Sequence, residues 1–186
     1  PWGNTAWVLQ PEGSAALPNG NAVWTVPADN DVNGTLAARF CFVKIYDGLG
    51  RCLSSKVPGR AVEHYVYDRN GHVVMRQDGN MRENGGWWMT YSHDNHGRET
   101  SRGLIRSESY SGESGRLHWQ EVYDGISSSN SSVTPQPDSL IAETIYSSLL
   151  FDIRYVHPAS VTNTEDYSRI NGFRTYERVR ELGESI

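Results

Sequence analysis

The string YDGLGR at Tyr46 to Arg51 returns as YDRNGH at Tyr67 to His72 and, with histidine in place of tyrosine, as HDNHGR at His93 to Arg98. The aspartates stand 21 and 26 residues apart. Repeats at this spacing mark a chain assembled from stacked supersecondary units, each burying a face against its neighbour. The chemistry of each copy indicates the unit. Aspartate bonds local backbone groups and glycine accepts positive φ, so Asp47 and Gly50, Asp68 and Gly71, and Asp94 and Gly97 punctuate the chain as turns. Residues 41–46 and 51–53, 64–67 and 72–75, and 88–91 and 99–103 flank these turns as extended runs. Each copy therefore predicts strand, tight turn, strand.

Pro58-Gly59 and Asp78-Gly79-Asn80 supply turns between the copies. The expectation is a mainly β fold: an antiparallel meander of hairpins forming a twisted sheet strip, with one buried face and one wet face. Tyr46, Tyr67 and Tyr91 are expected to pack across strands, since cross-strand aromatic pairs stabilise sheets. Arg51 and Arg98 close the first and third copies, and His72 stands in that place in the second.

The repeated Tyr-Asp-x-x-Gly-Arg pattern, with YVYD at Tyr65 to Asp68 and QDGN at Gln77 to Asn80, resembles the YD repeats of bacterial Rhs-type proteins. The resemblance covers about Leu36 to Leu104, a little over a third of the chain, and His93 departs from it where a tyrosine is usual. It implies a long β strip that coils into a spiral or shell, in the cell envelope or outside the cell. It also implies a non-enzymatic scaffold role whose partner is the remainder of a larger repeat protein. Members often carry a toxin or adhesive tip at the C-terminus, but no toxin motif stands beyond about Tyr123. The start at Pro1, without a signal peptide, fits an excised piece.

Four segments follow from the pattern. Residues 1–36 read as an N-terminal strand and loop segment, with short strands at Trp7 to Leu9 and Ala22 to Val26 and a loop at Pro11 to Gly20. Residues 37–124 form the repeat sheet, closing with a turn at Ser111 to Gly115 and a strand at Leu117 to Asp124. Residues 125–139 are a Ser/Pro-rich loop. Residues 140–186 form a C-terminal segment packing on or extending the sheet. There Ile141, Ile145, Leu149 and Ile153 recur every fourth position, so a short helix is expected, capped by Asp138 or Ser139. Arg174 to Gly183 fits either a helix or a last strand.

A net charge of −5 disfavours non-specific nucleic-acid binding, which needs a basic patch. No apolar run approaches the length of a membrane span. If cross-strand partners around the first turn sum to 97, Cys52 faces Ile45, and Cys41 lies about 13 Å further along the same face. Both cysteines are then expected as free, buried thiols.

Among ligand-like strings, DNDVNG places Asp29, Asp31 and Asn33 at alternate positions before Gly34, the front half of a calcium loop. Calcium is the one cofactor this admits, although Phe40 stands where the bidentate glutamate belongs. His93 and His96 offer two imidazoles within the third turn, without a third ligand in sequence. Trp87 and Trp88 should point to opposite faces of a strand, leaving one indole available to a glycan or a surface protein. No nucleophile elbow, phosphate loop or dinucleotide fingerprint is present, so an enzyme is not expected. A carbohydrate- or protein-binding module on the same sheet is the alternative to a scaffold.

Overall fold

A computed structural model describes residues 3–17, 25–129, 135, 137–146 and 174–179. They are mainly β, an antiparallel meander with four helices among the described residues. The chain divides into two compact units. The first comprises Pro1–Trp88 and Arg106–Thr134, the second Met89–Ile105 and Pro135–Ile186.

In the first unit, β1 (Trp7–Leu9), β2 (Cys41–Tyr46), β3 (Cys52–Lys56), β4 (Glu63–Tyr67) and β5 (Val73–Gln77) lie side by side in chain order, each antiparallel to the last where its register is defined. β6 (Trp87–His93) leads into the second unit, where β7 (Glu99–Arg106), β8 (Ser139–Tyr146) and β9 (Arg174–Val179) pair antiparallel in chain order. The tight turns fall at residues 47–51, 68–72 and 94–98, as the sequence predicts. The segment at Arg174 resolves to a strand.

The helices are where the sequence expectations fail. α1 (Pro11–Ala15) replaces the expected loop; Pro11 occupies the first helical turn, where a missing N–H leaves no bond unmade. α2 (Leu36–Phe40) starts at Thr35, whose hydroxyl accepts the Ala38 N–H at 3.1 Å. α3 (Gly79–Glu83) replaces a simple turn, with Asp78 accepting the Met81 N–H at 3.0 Å. The largest correction is α4 (Gly112–Ser129), an 18-residue helix in place of a turn, a strand and the start of a loop. Gly112, Gly115, Arg116, Trp119 and Tyr123 are the buried positions among residues 112–125. Their spacing is helical, but three of the five are glycine or arginine, so apolar periodicity does not reveal it. The expected short helix near Leu140 is strand β8 as far as Tyr146; residues 147–156 lie outside the described residues, as do 18–24 of the N-terminal segment.

The first unit's core includes an apolar cluster of Ala37, Cys41 and Val43, on which Trp7 and Leu9 pack, and Val66, Met75 and Trp88 are fully buried as well. A polar row runs between strands in the same buried layer: Ser54, His64 and Gln77 are direct cross-strand partners on β3, β4 and β5, and all three are buried. Residues paired in this way share a face. Both cysteines are free. A bulge after Ile45 shifts the register, so Cys52 pairs with Tyr46 instead of Ile45, and it is half-buried where full burial was expected.

Candidate functional site

The three turns are built alike. In the first, Asp47 Oδ1 accepts the Leu49 and Arg51 amides at 2.9 and 2.8 Å, and Oδ2 accepts Arg51 Nε at 2.6 Å. In the third, Asp94 Oδ1 accepts the His96 and Arg98 amides, both at 2.9 Å, and Oδ2 accepts Arg98 Nε at 2.7 Å. In the second, Asp68 accepts the His72 amide at 2.8 Å, and His72 Nδ1 lies 3.1 Å from its second oxygen. Gly50, Gly71 and Gly97 all have φ between +76° and +85°, the left-handed region that a side chain disfavours. Local hydrogen bonds hold the Asp47 and Asp94 carboxyls below their ordinary range against the opposing effect of desolvation.

Side chains also link the first hairpin to the second. β3 and β4 are paired only through Ser54 with His64 and Ser55 with Glu63. Beyond those pairs, the space towards the turns is bridged. Arg51 Nη1 donates to the Asp68 carbonyl at 3.1 Å, and its guanidinium lies over the Tyr67 ring at 4.9 Å. The Tyr67 hydroxyl donates to the Cys52 carbonyl at 2.8 Å. From α4, the Gln120 amide serves Tyr67 as a neighbouring strand would, accepting its N–H at 3.1 Å and donating to its C=O at 2.9 Å. The tyrosines thus act partly through their hydroxyls; that of Tyr46 donates to the Thr5 carbonyl at 3.2 Å.

A second constellation lies at the polar row. His64 is 2% exposed. Its Nε2 lies 2.8 Å from Asp29 Oδ1; its Nδ1 lies 2.9 Å from Ser54 Oγ and 3.3 Å from Glu113 Oε2. Asp29 Oδ2 accepts the Glu113 amide at 2.8 Å at the start of α4. Gln77 Oε1 accepts the Gly112 amide at 2.7 Å, while its Nε2 donates to the Trp87 carbonyl at 2.9 Å. Arg82 of α3 donates to the Asp29 and Val62 carbonyls and to Asn30. Gly112 is at φ +65°, and a Cβ there would lie 2.2 Å from Asp29 Oδ2, so only glycine lets the helix start this close to the carboxylate. Bonding to His64 holds the Asp29 carboxyl down at about 2, against desolvation. Desolvation raises Glu113 as well, but Arg116 and His64 outweigh it and bring it to about 2.

Asp29, His64 and Ser54 have the residue types of a catalytic triad. The Ser54 side chain, however, is 2% exposed, and its acceptor nitrogen is shared with Glu113. The trio is arranged as a core network rather than an open nucleophile. Sequence parity could have flagged it, because His64 alternates in phase with buried Val66, and Gln77 with buried Met75. Nothing in the sequence brings Asp29, 35 residues from His64, to this point.

The first unit also holds a cleft of about 430 Å³. Ser55, Glu63 and Arg76 line it from the strands, Arg60 from the β3–β4 connection and Asn80 and Glu83 from α3. Glu63 and Arg76 form an ion pair. Lys56, nearly fully buried, fixes the connection by donating to the Ala38, Val57 and Arg60 carbonyls.

Asp29 is engaged by His64 and α4. Asp31 serves its own turn, accepting the Gly34 amide at 2.7 Å and the Thr35 hydroxyl at 2.8 Å. Asp29 and Asp31 thus have different immediate partners, and no cluster of three or more His, Cys, Asp or Glu suited to a metal stands among the described residues. His93 ends β6 and His96 lies in the third turn. Trp88 is fully buried, and its indole N–H donates to the Tyr110 carbonyl at 2.8 Å, so it has no face for a glycan. Trp87 is half-buried, with Arg106 5.9 Å from its ring centroid.

No helix among the described residues is long and apolar enough to cross a membrane. Compared with protein-family models the chain matches none, and comparison with curated protein sequences gives no significant match.

Proposed function

We propose that the chain is a non-enzymatic scaffold segment of a larger YD-repeat protein of the Rhs type, working in the cell envelope or outside the cell. The observation that carries this reading is the link from one repeat to the next. Arg51 closes its own turn on Asp47, then reaches the carbonyl of Asp68 and the ring of Tyr67 in the following copy. A residue that serves both its own hairpin and its neighbour is what a stacked wall requires. β1 begins the strand order and, among the described residues, pairs only with β2. Its outer edge suits addition of a strand from the rest of the parent protein.

The cleft favours a second reading, a carbohydrate- or protein-binding module on the same sheet. Its volume lies within the usual range for ligand sites, and its wall carries Arg60, Asn80 and Glu83 as polar contacts. A glycan-array screen of the intact chain, with and without calcium, separates the two. The scaffold reading expects no reproducible binding. Binding abolished by Arg76→Ala or Trp87→Ala in a folded protein would replace it with the binding module, and calcium dependence would support the calcium role of Asp29, Asp31 and Asn33.

A further inference from the structure

His64 faces more ionisable groups than a histidine fixed only for packing would need. Asp29 reaches it from the loop before α2, Glu113 from α4 with Arg116 paired behind it, and Ser54 from β3. Arg82 of α3 opposes its charge from nearby, and Gln77, its cross-strand partner on β5, is neutral. The two ring nitrogens have different company. Nε2 meets a carboxylate alone, whereas Nδ1 meets a carboxylate and a hydroxyl. Only a protonated Nδ1 can donate to Glu113. A deprotonated Nδ1 can accept from the Ser54 hydroxyl but repels the Glu113 carboxylate.

We propose that His64 is a proton-operated clasp for α4: its imidazolium bridges Asp29 and Glu113 and holds the helix start on the sheet, and loss of the Nδ1 proton transfers that nitrogen to Ser54 and releases the Glu113 side chain. The proton leaves to solvent, Nε2–H stays on Asp29, and Arg116 retains Glu113. The helix start then keeps its amide bonds to Asp29 and Gln77 but loses its charged tie.

The direction of the device follows from the environment. Burial disfavours the imidazolium, but hydrogen bonds to Asp29 and Glu113 outweigh it, and the net effect raises His64 above its ordinary 6.5. A group raised in the folded state contributes stability that is fully present below its unfolded value and lost as pH rises through its folded value. The clasp is therefore closed in mildly acidic conditions and opens as pH rises past the folded midpoint.

Nitrogen-15 NMR of histidine-labelled intact chain, read together with amide hydrogen exchange at Glu113, tests the clasp. The His64 signals are identified by their loss in His64→Gln or, if that protein does not fold, by their displacement in Glu113→Gln. The clasp predicts a midpoint above 6.5, a neutral form protonated on Nε2, and a lower midpoint in Glu113→Gln. Glu113 exchange, corrected for its intrinsic pH dependence, should rise across the midpoint by up to about tenfold for each unit that the midpoint exceeds 6.5. A midpoint at or below 6.5, a neutral form protonated on Nδ1, or exchange that follows the intrinsic rate alone would overturn it.

Discussion

The guanidinium of Arg51 lies 4.9 Å from the centroid of the Tyr67 ring, and the same group reaches both the carboxylate of Asp47 and the carbonyl of Asp68. One side chain thus closes a turn and ties that hairpin to the next. A lysine cannot reproduce the contact, because its ammonium lacks the planar fork that serves several acceptors and stacks on a ring. Arg51→Lys should lower stability by about 1 kcal/mol and Arg51→Ala by about 1–2 kcal/mol. Urea denaturation followed by tryptophan fluorescence checks both.

Gly71 sits at φ +85° at the tip of the second turn, and a Cβ there would meet nothing within 4 Å. Gly71→Ala isolates backbone strain from steric clash. It should destabilise the protein by about 1 kcal/mol, whereas Gly71→Asn, which tolerates the left-handed region better, should lose less. Thermal melts of the two variants give the order.

Gln120 accepts from and donates to the backbone of Tyr67. Gln120→Ala leaves that N–H and C=O without these partners and should lose about 1–3 kcal/mol. Faster hydrogen exchange at the Tyr67 amide, with little change at Val66, would mark the effect as local.

Acid should loosen the start of α4. Asp29 and Glu113 both lie at about 2, below their ordinary 3.8 and 4.5. Stability tied to a depressed carboxyl is present above its unfolded value and is lost as pH falls through the folded one. The loss therefore falls between about pH 4.5 and pH 2 and, because both groups are partly solvated, is on the order of 1–2 kcal/mol. Denaturant midpoints measured across that window should fall less steeply for Asp29→Asn than for the unaltered chain.

The hairpins were legible in the sequence because their cause is local. Asp47, Gly50 and Arg51 contact one another within five residues, so composition and spacing carry the geometry. The same holds for Asp94, Gly97 and Arg98. α4 was not legible, because it buries Gly112, Gly115 and Arg116 through tertiary approach and a salt bridge, neither of which resembles an apolar stripe. The core network was half legible. The inward phase of His64 and Gln77 follows from Val66 and Met75, but the arrival of Asp29 and Glu113 depends on how a loop and a helix fold over the sheet. Trp87 and Trp88 divided between half-buried and fully buried, as alternation requires, yet alternation alone does not say that Trp88, whose indole N–H bonds the Tyr110 carbonyl, is the buried one.

A double-mutant cycle between Arg51 and Tyr67 tests the central claim most directly, using Arg51→Ala, Tyr67→Leu and the pair, with unfolding free energies from urea titration. If the repeat arginine locks one hairpin onto the next, the two changes are non-additive, with a coupling of about 0.5–1.5 kcal/mol. Additivity within about 0.3 kcal/mol would contradict the lock and, with it, the geometric basis for a repeat-built scaffold.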